Sequence, residues 1–368
     1  MKTRRDLLKA GAALAATAAA DANAALRPPA RPRTLLILGG TGFIGPHLTR
    51  EAQRLGWKVT HFNRGKKSVE GLEGVETLIG DRKGKLDALR NRRWDAMVDD
   101  TGYIPKYCHM SAQLLGPEVR YALFISSISV YDSFAHPNDE HSPLGKLTDP
   151  EAEEVTDTTY GPMKVLCEHY NAQAFAKRLS IVRPGYIVGP LDPTDRFTYW
   201  PVRYARGGEM LVPGTPDDPI QIIDVRDLTG WMMQLVNART QGTFNAVSAP
   251  HQFTMGQLLQ ACRDAAPDAK TQVTWVPEAF LARQWKPEEL DLPPWAPLSG
   301  DSAGASLTSS TLATRAGLRC RPLEETVRDT LQWFRTLPSE RQAKLHAGLD
   351  AQREDETLRA WHKSEKAG

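Results

Sequence analysis

Thr34-Leu35-Leu36-Ile37-Leu38-Gly39-Gly40-Thr41-Gly42-Phe43-Ile44-Gly45 decides the reading of this chain. A short apolar run enters a cluster of glycines, and an apolar helical pattern then continues through Leu55, so the segment reads as strand, tight turn and helix. Gly39 permits the turn, Gly42 lets another group approach the backbone, and Gly45 allows the helix to pack closely on the strand. The free N–H groups at the start of such a helix suit a pyrophosphate. Thr41, Phe43 and Ile44 complete the candidate dinucleotide contacts in this turn.

Outward from this turn, further strands are expected at Lys58 to Phe62, Val75 to Ile79, Ala96 to Asp99, Tyr121 to Ser126 and Ser180 to Arg183, with helical patterns between several of them. Alternating strands and helices call for right-handed crossovers and a parallel sheet covered on both faces. The expected fold is α/β, a Rossmann-type doubly wound parallel sheet with a smaller C-terminal substrate lobe. From Gly189 onward the texture turns to Pro, Gly and aromatic residues, with a strand-like Ile220 to Val225 and helices near Leu228 to Val236 and Met255 to Ala265. The boundaries drawn are 25–190 for the dinucleotide-binding domain, 191–338 for the lobe with returns to the main sheet, and 339–368 for a charged helical tail whose charges read as a solvated face.

Residues 1–24 read as a twin-arginine export signal: Arg4-Arg5, an Ala-rich run from Ala10 to Ala20, and Ala22-Asn23-Ala24 as the cleavage site. The run is too short and too weakly apolar for stable membrane insertion, and export by the twin-arginine route to the periplasm is the expectation. The net charge of the 368-residue chain is +2; the segment removed holds four cations against two carboxylates, which leaves a mature charge of zero. That balance carries no footprint for nucleic acid. Cys108, Cys167, Cys262 and Cys320 lack any metal-ligand spacing, so no metal is expected, and buried free thiols are preferred to disulfides.

The second strand runs out into Asn63-Arg64-Gly65-Lys66-Lys67, where an acidic residue would accept from a ribose 2′-hydroxyl. Arg64 with Lys66 or Lys67 suits a 2′-phosphate instead, which favours NADP and leaves NAD open. Asp81, after the third strand, is a candidate adenine contact. Tyr160 and Lys164 stand four apart and share a helix face, while Ser127 follows the fifth strand at the same rim. A free tyrosine titrates near 10, so proton transfer near neutral pH calls for a neighbouring cation such as Lys164. Asp99 and Asp100 are either substrate ligands or part of a turn. Arg196 and Arg203 are the candidate substrate cations, and Gln221, Asp224 and Arg226, in the strand-like Ile220 to Arg226, resemble the lobe hinge of the family named below, either structural or ligating.

With these motifs in order, the stretch from Thr34 to Val247 resembles the extended short-chain dehydrogenase/reductase, or NAD-dependent epimerase/dehydratase, family. The resemblance rests on the glycine motif, Ser126-Ser127-Ile128-Ser129-Val130-Tyr131, Tyr160 with Lys164, Arg183-Pro184-Gly185 and Gly242-Thr243-Phe244-Asn245. It implies that Tyr160 is the general acid/base, that Lys164 holds the nicotinamide ribose, that Ser127 binds the reacting oxygen, and that Pro184 lies at the cofactor. It also implies hydride transfer at a sugar-like secondary alcohol or ketone, and a homodimer. The Phe62-Asn63-Arg64-Gly65 turn and Tyr160-Gly161-Pro162 look like a branch that includes chloroplast stem-loop-binding proteins, so a non-catalytic dinucleotide-binding or RNA-associated protein is the alternative. Export in the folded state would carry the cofactor inside the enzyme, which fits an epimerase or a two-substrate cycle better than release of NADPH.

Overall fold

Leu35, Leu36, Ile37 and Leu38 are all at most 1% exposed, the burial of a strand covered on both faces. The computed structural model describes residues 32–286, 290 and 292–366. The export signal expected at 1–24 lies outside the described residues. Strand β1 (Thr34–Leu38) is followed by β2 (Lys58–Asn63), β3 (Glu76–Ile79), β4 (Ala96–Asp99), β5 (Ala122–Ile125) and β6 (Leu179–Pro184), each within a residue or so of its expected place. With β7 (Tyr186–Val188), β8 (Gly208–Pro213), β9 (Pro219–Ile220), β10 (Ile222–Asp224) and β11 (Gly242–Ala246), the chain completes a seven-stranded sheet of order β11-β6-β5-β4-β1-β2-β3. Its pairings are all parallel. The order reverses at β1, so the carboxyl ends of β1 and its neighbours form the crevice where such sheets take ligands.

Helix α1 (Ile44–Arg54) covers one face of the sheet, and α2 (Pro105–Leu115) and α3 (Asp157–Phe175) pack together on the other. The chain then adds α4 (Tyr199–Ala205) in the lobe and α5 (Val225–Ala238), which returns to pack beside α1. The lobe has its own core, in which Phe197, Trp200 and Trp295 meet Met255, Val327 and Phe334. It contains β12 (Phe253–Thr254), α6 (Met255–Ala265), β13 (Thr271–Val276) and α7 (Glu278–Gln284), with β13 parallel to β8, whereas α8 (Thr311–Arg315) returns to pack on β11 of the main sheet before α9 (Leu323–Arg335) closes the lobe core.

The hinge candidates prove structural. Gln221 clasps Ser248 and Thr308 through three hydrogen bonds of 2.7–2.8 Å. Asp224 caps α5 and pairs with Arg226.

The tail forms α10 (Ser339–Ala343) and α11 (Ala351–Glu365), and it departs from the expected solvated face. Glu354 is 4% exposed and accepts from Arg203 Nε at 2.7 Å and the Leu211 N–H at 3.0 Å. Arg341 reaches both oxygens of Asp195 at 2.7 Å, and the His346 N–H donates to the same carboxylate. The tail therefore braces the loop that carries Asp195. Among the described residues, no helix is long and apolar enough to cross a membrane. Cys108, Cys167 and Cys262 are buried free thiols, and Cys320 is a half-buried one.

Candidate active site

The glycine turn is held from two sides. The Gly39 N–H donates to the Phe62 carbonyl, and Asn63 Nδ2 reaches the Gly39 carbonyl at 3.3 Å while its Oδ1 accepts from the Gly65 N–H at 2.8 Å. Asn63 thus ties the turn after β2 to the cradle after β1. Gly45 does not face the opening: a Cβ there would stand 2.4 Å from the Gly40 backbone, so its role is the close seating of α1. Among the described residues nothing lies within 4 Å of where a Cβ on Gly42 would project, which leaves bare backbone at the mouth of the cradle. Sequence reading missed His61, whose ring lies directly beneath Gly40 and meets Thr49 Oγ1 at 2.8 Å. Burial pulls its pKa down to about 4.

A cavity of about 1220 Å³ runs along the rim, larger than the roughly 300–1,000 Å³ of a pocket for one small ligand. Thr41, Gly42, Phe43, Ile44, Asn63, Arg64 and Asp81 line it at the β1–β3 end, with Lys66 and Lys67 beside Arg64. Ser127, Tyr160, Lys164 and Pro184 line it further along, past the sheet's switch point. The residues present fit a dinucleotide: open backbone for a pyrophosphate, a cationic end, and a buried Ser126 hydroxyl that has no partner among the described residues and borders the same space.

Tyr160 comes to this cavity through an unusually close helix approach. Thr156 opens α3 with a reciprocal cap involving Thr159. One turn on, a Cβ at Gly161 would stand 1.9 Å from the Ser129 carbonyl oxygen, so only glycine lets α3 lie this near the Ser127–Val130 turn. Ser127 Oγ accepts from the Ser129 N–H at 3.1 Å and lies 3.0 Å from Ser129 Oγ, which fixes its rotamer at the opening. Further down α3, Glu168 accepts from Arg183 Nη2 at 2.7 Å and Nε at 2.9 Å in a buried pair that pins the helix to β6. Arg183 also bonds Tyr131, whose hydroxyl donates to Asn245 on β11. The Arg183 and Asn245 motifs are therefore scaffolding for the helix that carries Tyr160.

Lys164 is 2% exposed and donates to the Ile125 carbonyl at 2.8 Å. Its Nζ sits 4.6 Å from the Tyr103 ring, 5.1 Å from Phe124 and 5.9 Å from Tyr160, so the ammonium is surrounded by aromatic faces. The two aspartates part company. Asp99 accepts from both terminal nitrogens of Arg82 and from the Thr101 N–H, and so belongs to the turn. Asp100 borders the cavity near Gly39, where burial pushes its pKa up to about 7, against the pull of Lys164 and with help from Asp99. Tyr103, unnoticed in the sequence, faces Tyr160 with ring centroids 6.3 Å apart.

Beyond Pro184 the loop after β7 turns with Leu191 and Asp195 both at positive φ, 75° and 59°. It presents Asp192, Thr194 and Arg196 to the cavity. Arg203 is a correction to the expectation that it binds substrate. It points into the lobe, donating to Glu354 and to the Gly207 and Glu209 carbonyls, and does not line the cavity. Sequence reading missed Asp192, Trp295 and Asp301 at this end, none of which carries a motif.

With this geometry in place, the comparisons fall on the same fold. Residues 35–104 match the model of the NAD dependent epimerase/dehydratase family. A chloroplast stem-loop binding protein of 41 kDa from Arabidopsis thaliana is 25% identical over 251 residues, 63% of each chain, so this chain spans less than two thirds of that relative's length. A dTDP-4-dehydro-6-deoxy-D-allose reductase from Streptomyces bikiniensis is 22% identical over 82% of this chain and 96% of its own. The Bordetella bronchiseptica enzyme WbmH, solved in complex with NAD+, superposes with a TM-score of 0.62 at 16% identity, covering 83% of this chain and 99% of that one. The fold is the Rossmann-like α/β fold of epimerase-type structures.

Proposed function

We propose that this chain is an NAD(P)-dependent oxidoreductase or epimerase acting on a secondary alcohol or ketone of a sugar-like substrate. The reading rests above all on the delivery of Ser127, Tyr160 and Lys164 to the cavity that also holds the glycine cradle. A bound nicotinamide supplies the hydride acceptor or donor there. The backbone at Gly39 to Ile44 takes the pyrophosphate, Asn63, Arg64 and Asp81 take the adenosine end, and Lys164 with Pro184 takes the nicotinamide ribose. Tyr160 exchanges the proton of the substrate oxygen, Ser127 donates to that same oxygen, and Lys164 brings its Nζ to 5.9 Å from the Tyr160 ring. Arg64, Lys66 and Lys67 at the adenosine end favour NADP over NAD.

Export through the twin-arginine route to the periplasm is part of the proposal, supported by Arg4-Arg5 and the Ala-rich run after them. A protein that crosses folded keeps its cofactor inside, and a cofactor that stays bound must be regenerated in place. A homodimer through the outer faces of α2 and α3 is part of the proposal, with Met110 exposed on α2. The similarity to the chloroplast stem-loop binding protein supports the alternative, a non-catalytic or RNA-associated protein. Against it stand the assembled Ser127, Tyr160 and Lys164 and the neutral charge of the processed chain.

Tyr160→Phe is expected to lower turnover by about 10²–10⁴-fold, the usual contribution of general acid–base catalysis, with the nucleotide still bound. Normal turnover in that variant refutes the proposal.

A further inference from the structure

The charges lining the cavity are sorted by sign along the rim. At the β2–β3 end stand Arg64, Lys66, Lys67 and Lys83, with Asp81 among them, and Arg82 there is already bound to Asp99. Past Pro184 the balance inverts: Asp192 and Asp301 line that end with Arg196 as its cation among the described residues. Asp192 is 1% exposed, and its Oδ1 accepts from Thr194 N and Oγ1 at 2.8 and 2.7 Å, while its Oδ2 is buried with no partner among the described residues. Arg196 lies 5.1 Å above the Tyr186 ring and is half-committed to Thr194 Oγ1 at 3.3 Å. Asp301 is brought in by the segment that hydrogen-bonds the Phe134 carbonyl through the Gly304 N–H. Tyr186, Phe134, Trp295 and Pro297 supply the apolar remainder of this wall.

A nucleoside diphosphate ester brings at least two negative charges, and a wall with the buried Asp192 and the exposed Asp301 against one exposed guanidinium, that of Arg196, disfavours it. A neutral ring compound meets a different site: aromatic faces for its C–H surface and a carboxylate oxygen that lacks only a donor. We propose that the substrate is an uncharged, polyhydroxylated ring compound free of phosphate and of any nucleotide handle, with one of its hydroxyls donating to Asp192 Oδ2. The proposal rests on the catalytic reading above and narrows it, since the dTDP-linked substrate class named for the reductase relative is then excluded for this chain.

Three measurements, two on the NADP+-loaded full chain and one on a variant of it, test the proposal. Calorimetric titration with uridine diphosphate is expected to give no binding tighter than about 1 mM, and a dissociation constant in the micromolar range overturns the proposal. A panel of free pyranoses and cyclic polyols is set against their nucleotide-linked counterparts, read by nicotinamide absorbance and by product chromatography. The free compounds are expected to show kcat/KM on the order of 100-fold higher. Turnover confined to nucleotide-linked sugars overturns the substrate class and leaves the catalytic reading standing, whereas turnover of neither class overturns both. Asp192→Asn, which keeps an oxygen for Thr194, is expected to raise KM for the preferred free compound about tenfold while the dissociation constant for NADP+ is unchanged. An unchanged KM removes the Asp192 contact.

Discussion

Gly161→Ala puts a methyl group where the structure has no room for one. The added carbon would lie 1.9 Å from the Ser129 carbonyl oxygen and 2.9 Å from its carbon, and real Cβ contacts essentially never fall below 3.0 Å. Backbone stands on both sides, so no rotamer change relieves the clash, and α3 must separate from the Ser127–Val130 turn by about 1.1 Å, the gap between 1.9 and 3.0 Å. Tyr160 is one residue from the methyl and Ser127 two residues from the carbonyl, so the opening falls directly between them. A misplacement of about 1 Å at reacting groups costs on the order of 10²-fold in rate, and overpacking of this kind costs about 1–3 kcal/mol in stability. Turnover, nucleotide content and thermal melting are measured together on the variant. The expected result is a folded protein that melts a few degrees lower, still carries nucleotide at the cradle, and has lost about 10²-fold in kcat. Wild-type kcat in the folded variant refutes the reasoning that the α3–turn approach sets the catalytic geometry.

Two further outcomes follow from buried groups. His61, held down at about 4 by burial, stays neutral in the fold while its unfolded counterpart takes a proton near 6.5. Stability therefore falls as pH drops from about 6.5 to 4, with a slope approaching 1.4 kcal/mol per pH unit; chemical denaturation across that range should show the slope flattened in His61→Gln, and an equal slope in both proteins would contradict it. Arg203→Met leaves the Glu354 carboxylate buried without its guanidinium and is expected to cost about 3–5 kcal/mol by denaturant titration. Its cofactor affinity should be unchanged, and a small stability loss accompanied by a raised substrate KM would restore Arg203 to the substrate site.

Much of the dinucleotide half was legible because its signals are local. Continuous apolar runs mark strands buried on both faces, and the glycine spacing marks the turn between β1 and α1. Met255 to Ala265 was legible to the residue, since Thr254 and Gln257 cap the helix that follows. The seventh strand was harder: Gly242-Thr243-Phe244-Asn245 is short and half polar, and only its pairing with β6 reveals it.

Within the site, the order of Ser127, Tyr160 and Lys164 pointed to one rim, but the reason for Gly161 lies in a carbonyl 32 residues away. Arg196 and Arg203 look alike in sequence, each next to aromatic residues. What separates them is Glu354, 151 residues further on, whose buried carboxylate turns Arg203 inward. Asp192 carried no pattern, and its place follows from a loop whose Leu191 and Asp195 adopt positive φ and whose Asp195 is held by the tail.

The most direct test of the central claim is turnover of Tyr160→Phe beside wild type, with bound nucleotide quantified on both proteins by mass spectrometry after denaturation. Equal nucleotide content with turnover reduced by about 10²-fold or more is the result expected of a proton-transferring tyrosine at a dinucleotide site. Equal turnover, or a wild-type protein that neither carries nor binds the nucleotide, would contradict it.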